Sequence, residues 1–279
     1  MNTRTRTTTG TILDEILDRK RQEVAARKAR VSDELIALKI SRTPPPRDFL
    51  AAVRRSAGEP MRVIAELKHA SPSKGVFVDP YDPEQIAAEY VRGGAAALSV
   101  LTDEPYFGGS LTHLPIARRG ADAAGRIVPL LRKDFLIDPY QVAEARAWSA
   151  DACLLIVAAV DDATLAALYA AVRAHGMTAL VEVNNVAELR RAVAIGAELI
   201  GVNQRDLRDF SVNTDLAGAL AAEMPAGTVT AALSGIKGPE DLHRLAAAGY
   251  HAALVGESVM TAPDRAAAVR ALAFPGGAT

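Results

Sequence analysis

Residues Arg191-Ala192-Val193-Ala194-Ile195-Gly196-Ala197-Glu198-Leu199-Ile200-Gly201-Val202-Asn203, RAVAIGAELIGVN, hold two structural elements and the joint between them. An alanine-rich helical tail runs into Gly196, which suits the left-handed position after a helix. A short, continuously apolar strand follows. The same unit recurs at Tyr90-Val91-Arg92-Gly93-Gly94 before AAALSVLT, and at Leu245-Ala246-Ala247-Ala248-Gly249 before YHAALVG. Strands that are apolar on both faces and alternate with helices argue for a parallel sheet covered by helices. Candidate strands begin near Arg62, Ala96, Ile127, Ala152, Thr178, Leu199, Thr228 and Ala252. Helical patterns between them include Pro83–Val91, Tyr140–Ala147, Ala163–His175, Val186–Ile195 and Pro239–Ala248. Eight such units in roughly 220 residues suit a closed (β/α)8 barrel. An open doubly wound sheet is the alternative, but no G-x-G-x-x-G follows any strand.

Composition narrows the function classes. The 279 residues carry a formal charge of −1 and are 49% apolar, enough for one large core. A near-neutral chain has no electrostatic footprint for nucleic acid or an anionic membrane, so neither is expected as a partner. An anionic ligand must then be held by local donors. Cys153 is the only cysteine, which makes a disulfide within the chain impossible and a reducing cytoplasm the expected compartment. No apolar stretch reaches the ~20 residues of a spanning helix. The start, MNTRTRTTTG, lacks a secretory signal's apolar segment.

Ahead of the first strand, Ile12, Leu13, Ile16, Leu17 and Val24 recur at helical spacing opposite a charged face. Ser32 suits the N-cap of a second helix, Asp33–Ile40, and Pro44-Pro45-Pro46 ends the pattern. This extension is either a cover for the barrel bottom or a wall at its mouth.

A (β/α)8 barrel carries its chemistry at the C-terminal strand ends, and polar residues gather there. Strand one, in AELKHASPSKG, ends with Glu66 and Lys68 on one face by alternation. Lys133 ends strand three, Glu182 lies in strand five, and Asn203 and Arg205 follow in strand six. Strand seven leads to Ser234-Gly235 and strand eight to Gly256-Glu257-Ser258. One such charge alone would be an ordinary rim ion pair. Five strand ends with matching inward parity point to a site, because burying unpaired charge is costly. The glycine-bearing ends of strands seven and eight suit a phosphate held by backbone N–H groups. The histidines at 69, 113, 175, 243 and 251 show no metal-ligand spacing and read as ordinary loop or helix residues.

The blocks AELKHASPSKG, SVLTDEPYFGGS, LLRKDF, ALVEV, GVNQRDL and LVGESVM, in this order, resemble the indole-3-glycerol-phosphate synthase family of tryptophan biosynthesis. The resemblance spans nearly the whole chain, including LDEILDRKRQEVAARK. It implies a TIM barrel of residues 47–279 with an N-terminal helical extension of residues 1–46. It also implies a cytoplasmic carboxy-lyase acting on a small anionic substrate, 1-(2-carboxyphenylamino)-1-deoxyribulose 5-phosphate. No cofactor and no metal are expected. The expected state is a monomer, with a weak dimer as the alternative, and no fused isomerase domain is expected after strand eight.

By the same resemblance Lys133 is the general acid of ring closure and Lys68 holds the substrate and assists later proton transfer. Glu66 and Glu182 fix the lysines and handle protons during dehydration. Asn203, Arg205 and Ser71 orient the carboxylate and hydroxyls. Ser234, Gly235, Gly256 and Glu257, the last through its backbone N–H, hold the phosphate. Phe107 and Phe135 line the aromatic pocket. Two positions depart from the family's pattern: Gln204 stands where asparagine is usual, and Leu233, in TAALSGI, where glutamate is usual. The second opens an alternative, a weakened paralogue acting on a related phosphosugar or serving as a binding module.

Overall fold

The computed structural model describes residues 10–72 and 74–274. The reading of the first nine residues, Ser73 of the SPSKG turn and residues 275–279 fall outside them. Eight parallel strands close into a barrel: β1 (Arg62–Leu67), β2 (Ala97–Leu101), β3 (Leu130–Lys133), β4 (Ala152–Ile156), β5 (Thr178–Val183), β6 (Leu199–Asn203), β7 (Val229–Leu233) and β8 (Ala252–Val255). β1 pairs with both β2 and β8, so the sheet has no open edge. The doubly wound alternative is excluded by that closure.

Alternation sorts each strand into two faces. Val63, Ala65 and Leu67 face the surrounding helices, whereas Ile64 and Glu66 face the barrel axis. Strand tilt then fixes which inward residues share a height. Glu66 pairs with Ser99 and Ser99 with Leu131, and in a barrel of this shear the level position two strands on lies two residues further, at Lys133. The same step leads from Lys133 to Glu182, from Glu182 to Leu233, and from Leu233 back to Glu66. The layers below hold Ser99, Leu154, Gly201 and Leu254, then Ile64, Leu131, Leu180 and Ala231, then Ala97, Ala152, Leu199 and Ala252. The interior is therefore dry packing up to one charged layer near the mouth.

The helices are α1 (Ile12–Arg30), α2 (Asp33–Ser41), α3 (Phe49–Val53), α4 (Pro83–Arg92), α5 (Glu104–Phe107), α6 (His113–Ala123), α7 (Pro139–Ala147), α8 (Asp162–Ala174), α9 (Val186–Ala194), α10 (Leu216–Ala221), α11 (Pro239–Ala247), α12 (Glu257–Met260) and α13 (Arg265–Ala273). Asp82, Asp138, Asp161, Asn185 and Asp264 accept first-turn N–H groups at the starts of α4, α7, α8, α9 and α13. These short caps turn each βα loop into a helix without buried orphan donors. The five named helical patterns match α4, α7, α8, α9 and α11 to within a residue at each end. α6 escaped the periodicity because Pro115 and Gly120 are poor helix formers. Gly120 is required there: a Cβ would collide with the Glu84 carbonyl of α4, so only glycine lets the two helices approach so closely.

Two expectations need correction or decision. Strand three starts at Leu130 and not near Ile127, which is 80% exposed. Pro129 has no N–H to donate, so only its carbonyl joins the ladder, accepting from Leu98. The N-terminal extension packs at the mouth end of the barrel, and α3, which follows it at Phe49–Val53, takes the other end. α1 buries Leu13, Ile16 and Leu17 in one cluster with Phe135, Ile156 and Ala159 at the strand C-termini, so it backs the mouth without lining the cavity. α2 runs beside α7, and α3 packs fully buried Phe49 and Val53 against the inward residues at the opposite end. The bottom is closed by α3.

Candidate active site

The charged layer opens into a cavity of about 540 Å³ at the C-terminal mouth. Glu66, Lys133, Glu182 and Leu233 form its floor, one from each odd strand, and Asn203 and Gly256 stand one level higher on even strands. Lys68, two residues past Glu66, returns over it with Nζ 3.1 Å from Oε1. Ser99 Oγ donates to the other Glu66 oxygen at 3.4 Å. Asn203 Nδ2 donates to Glu182 Oε1 at 2.9 Å, while Glu182 Oε2 has no hydrogen-bond partner among the described residues. Asn203 is itself fixed: its carbonyl accepts from Asn184 Nδ2 at 2.7 Å, and its Oδ1 accepts the Arg205 N–H at 3.0 Å.

The two carboxylates differ in their protonation. Burial is the largest influence on both and pushes them upward. At Glu66 the charges of Lys68 and Lys133 outweigh it, and its pKa ends below the ordinary 4.5. At Glu182 Lys133 and the Asn203 hydrogen bond do not outweigh burial, and its pKa ends above that value. One floor carboxylate is thus held ionised while its neighbour keeps a proton to higher pH.

Every residue singled out for the site lines this cavity. Phe107 and Phe135 face each other on one side, ring centroids 6.2 Å apart and tilted 33°. Ser71 lies in a small hairpin, Ala70–Ser71 against Gly75–Val76, with its Oγ buried and without a hydrogen-bond partner among the described residues. On the opposite side Ser234 and Gly235 both adopt left-handed φ, 62° and 73°, which turns successive N–H groups in one direction. Gly256 passes so close to the floor that a Cβ would lie 2.7 Å from Glu66 Oε1. The Glu257 carboxylate pairs with Lys74 at 3.4 Å. Gln204 finds a use for its extra methylene, since its Nε2 reaches the Ser234 carbonyl at 2.8 Å and ties β6 to the β7 loop. Leu233 is inward, as alternation requires, and packs over Gly201, where a Cβ would come 2.7 Å from Leu233 Cδ1. Among the described residues no three His, Cys, Asp or Glu side chains are grouped for a metal; His69 stacks on Tyr81, and His113 meets the same ring tilted at 59°.

Two features were missed. The loop after β6 brings Leu207, Phe210, Val212 and Thr214 over the cavity, and no periodicity marks such a segment. Beside the cavity lies a buried ion cluster of Lys20, Asp103, Asp134, Arg132 and Glu144. Its signal was a lysine inside the apolar stripe of α1, between Leu17 and Val24.

Comparison with known proteins follows the same lines. The family described as indole-3-glycerol phosphate synthase matches residues 13–272. A relative of that name from Roseiflexus sp. (strain RS-1) is 50% identical over 265 residues, 94% of this chain and 98% of its own. One from Chloroherpeton thalassium is 47% identical over 258 residues, 92% of this chain and 97% of its own. Among solved structures, thiamine phosphate pyrophosphorylase from Pyrococcus furiosus superposes with TM-score 0.55 at 16% identity, covering 76% of this chain and 93% of that one. The N-acetylmannosamine-6-phosphate 2-epimerase from Clostridium perfringens gives 0.56 at 15%, covering 76% and 90%. These two likenesses concern the fold alone.

Proposed function

The chain belongs to the indole-3-glycerol phosphate synthase family, and from that premise we propose how its cavity divides the work of the family's reaction. The substrate, 1-(2-carboxyphenylamino)-1-deoxyribulose 5-phosphate, closes a five-membered ring and releases CO₂ and water to give indole-3-glycerol phosphate. The ring carbon bearing the carboxylate attacks the C2 ketone, and the carbonyl electron pair becomes an alkoxide. Lys133 delivers the proton to that oxygen. Loss of CO₂ then restores the aromatic ring, and departure of the hydroxyl with a neighbouring proton leaves the indole.

Glu66, held ionised, anchors Lys68 beside the anionic substrate. Glu182 exchanges a proton during dehydration. This assignment is supported by the opposite displacement of the two carboxyls, the pattern expected where one group anchors and the other transfers. Asn203 sets the orientation of Glu182, while Arg205 and Ser71 meet the substrate carboxylate and hydroxyls. The N–H groups at Ser234, Gly235, Gly256 and Glu257 hold the phosphate, and Phe107 and Phe135 enclose the aromatic ring. Residues 1–46 form the extension and residues 47–279 the catalytic barrel. The observation that carries the reading is the single layer uniting Glu66, Lys133 and Glu182 on one cavity floor. Turnover of the carboxyphenylamino substrate, followed by indole fluorescence, tests it. No turnover by folded protein would leave the weakened-paralogue alternative, for which Leu233 is the sole support.

A further inference from the structure

α1 presents Leu13, Ile16, Leu17 and Val24 to the barrel, and in the middle of that stripe Lys20 is only 1% exposed. A buried ammonium on an otherwise apolar helix face is costly unless all three N–H donors are met. Three carboxylates compensate this one: Nζ pairs with Asp103 at 2.6 Å and with Asp134 at 3.0 Å, and it donates to Glu23 at 2.9 Å. Each aspartate also holds a segment that carries a cavity phenylalanine. Asp103 Oδ2 accepts the Tyr106 N–H at 3.1 Å and so caps α5, whose last residue is Phe107. Asp134 Oδ1 accepts the Phe135 N–H at 2.8 Å, and its other oxygen takes Thr102 Oγ1 at 2.6 Å and Arg132 Nη2 at 2.9 Å. Lys20 and Asp103 do not line the cavity, whereas Phe107, Asp134 and Phe135 do.

We infer that Lys20 is a positioning residue for the aromatic side of the site, setting the spacing of Phe107 and Phe135 through Asp103 and Asp134. Without the ammonium, two buried carboxylates on adjacent loops would face each other, and their repulsion would part the loops that carry the rings. Lys133 is held differently. Its strand pairs with β2 at Leu101 and Thr102 takes its carbonyl, so the acid keeps its place when the loops part. The consequence is selective: ring binding suffers and proton delivery does not.

The inference rests on the proposed assignment of the rings to the aromatic half of the substrate. Its test is Lys20→Met, with titrations of anthranilate and of inorganic phosphate alongside steady-state kinetics. Anthranilate affinity should fall and KM rise by about tenfold, the size of one aromatic contact. The kcat should stay within about threefold, because the transition-state interaction is untouched. Phosphate affinity should not move. If Lys20→Met fails to fold, Lys20→Met with Asp103→Asn removes the repulsion yet keeps an N-cap, and a smaller ring-selective loss is expected from the missing bridge alone. Unchanged anthranilate affinity in either folded variant overturns the inference, as does equal weakening of anthranilate and phosphate. A parent chain without turnover would sink the proposed function, while the two titrations would still decide the part played by Lys20.

Discussion

Two buried ionic groups lie side by side under the mouth of this barrel, and they are built on opposite principles. In the cluster of Lys20, Asp103, Asp134, Arg132 and Glu144, each charge has an opposite charge within 3.5 Å. Burial pushes the Asp134 pKa up, but Arg132 and Lys20 overcome it and hold the group well below the carboxylate range. On the cavity floor, Glu66 and Lys68 pair, but Glu182 is met on one oxygen only and its pKa ends raised. A closed set of charges fixes protonation and geometry. An incomplete set leaves a proton free to move. The contrast separates scaffold from chemistry using charges of the same kind.

Breaking the closed cluster should have the largest effect. Arg132→Met strips a fully buried partner from Asp134 and Glu144, and about 3–5 kcal/mol of stability should go, the usual cost of orphaning a buried charge. The urea midpoint measures this. A loss under about 1 kcal/mol would mean that the cluster relaxes and is not closed. On the floor the same kind of deletion should strike rate. Lys133→Met is expected to lower kcat at least ~10²-fold with little change in melting temperature, as for a general acid. Near-normal kcat with raised KM would reassign Lys133 to substrate binding.

The carboxylates sharpen the contrast further. Because the folded-state pKa of Glu182 lies above 4.5, it costs stability once pH rises through it, the reverse of Asp134. Glu182→Gln should therefore leave melting at neutral pH unchanged or higher, while removing the acid limb of the kcat profile and lowering kcat about tenfold or more. A variant less stable at neutral pH, with the acid limb intact, would contradict both halves. The smallest effect belongs to Leu233. Leu233→Glu adds a carboxylate to the layer of Glu66, Lys133 and Glu182, which disfavours ionised Glu182 and favours charged lysine. Both limbs of the pH profile should move upward, by about one unit, and kcat should rise. Superimposable profiles would show that position 233 does not act on the chemistry.

The periodicities of the chain were enough for the barrel and for most of its inward face. Helices ending in left-handed glycines at 94, 196 and 249, each followed by an apolar strand, are local features, fixed by backbone sterics and by burial on both faces. Alternation put Glu66 and Lys68 on one face, matching parity grouped Lys133, Glu182 and Asn203 with them, and the family resemblance turned Leu233 toward the site. The start of β3 was misplaced because an apolar Ile127 reads like strand until Pro129 is weighed as a missing donor. What alternation does not contain is height. That Glu66, Lys133, Glu182 and Leu233 share one layer follows from strand tilt and register around a closed sheet, a property of all eight strands together. The same holds for Lys20. Its helix was legible, but its partners come from the ends of β2 and β3, and only the folded chain brings those charges within 3.0 Å. Local sterics wrote the elements, whereas pKa and ion pairing depend on distance through space, which only the closed barrel sets.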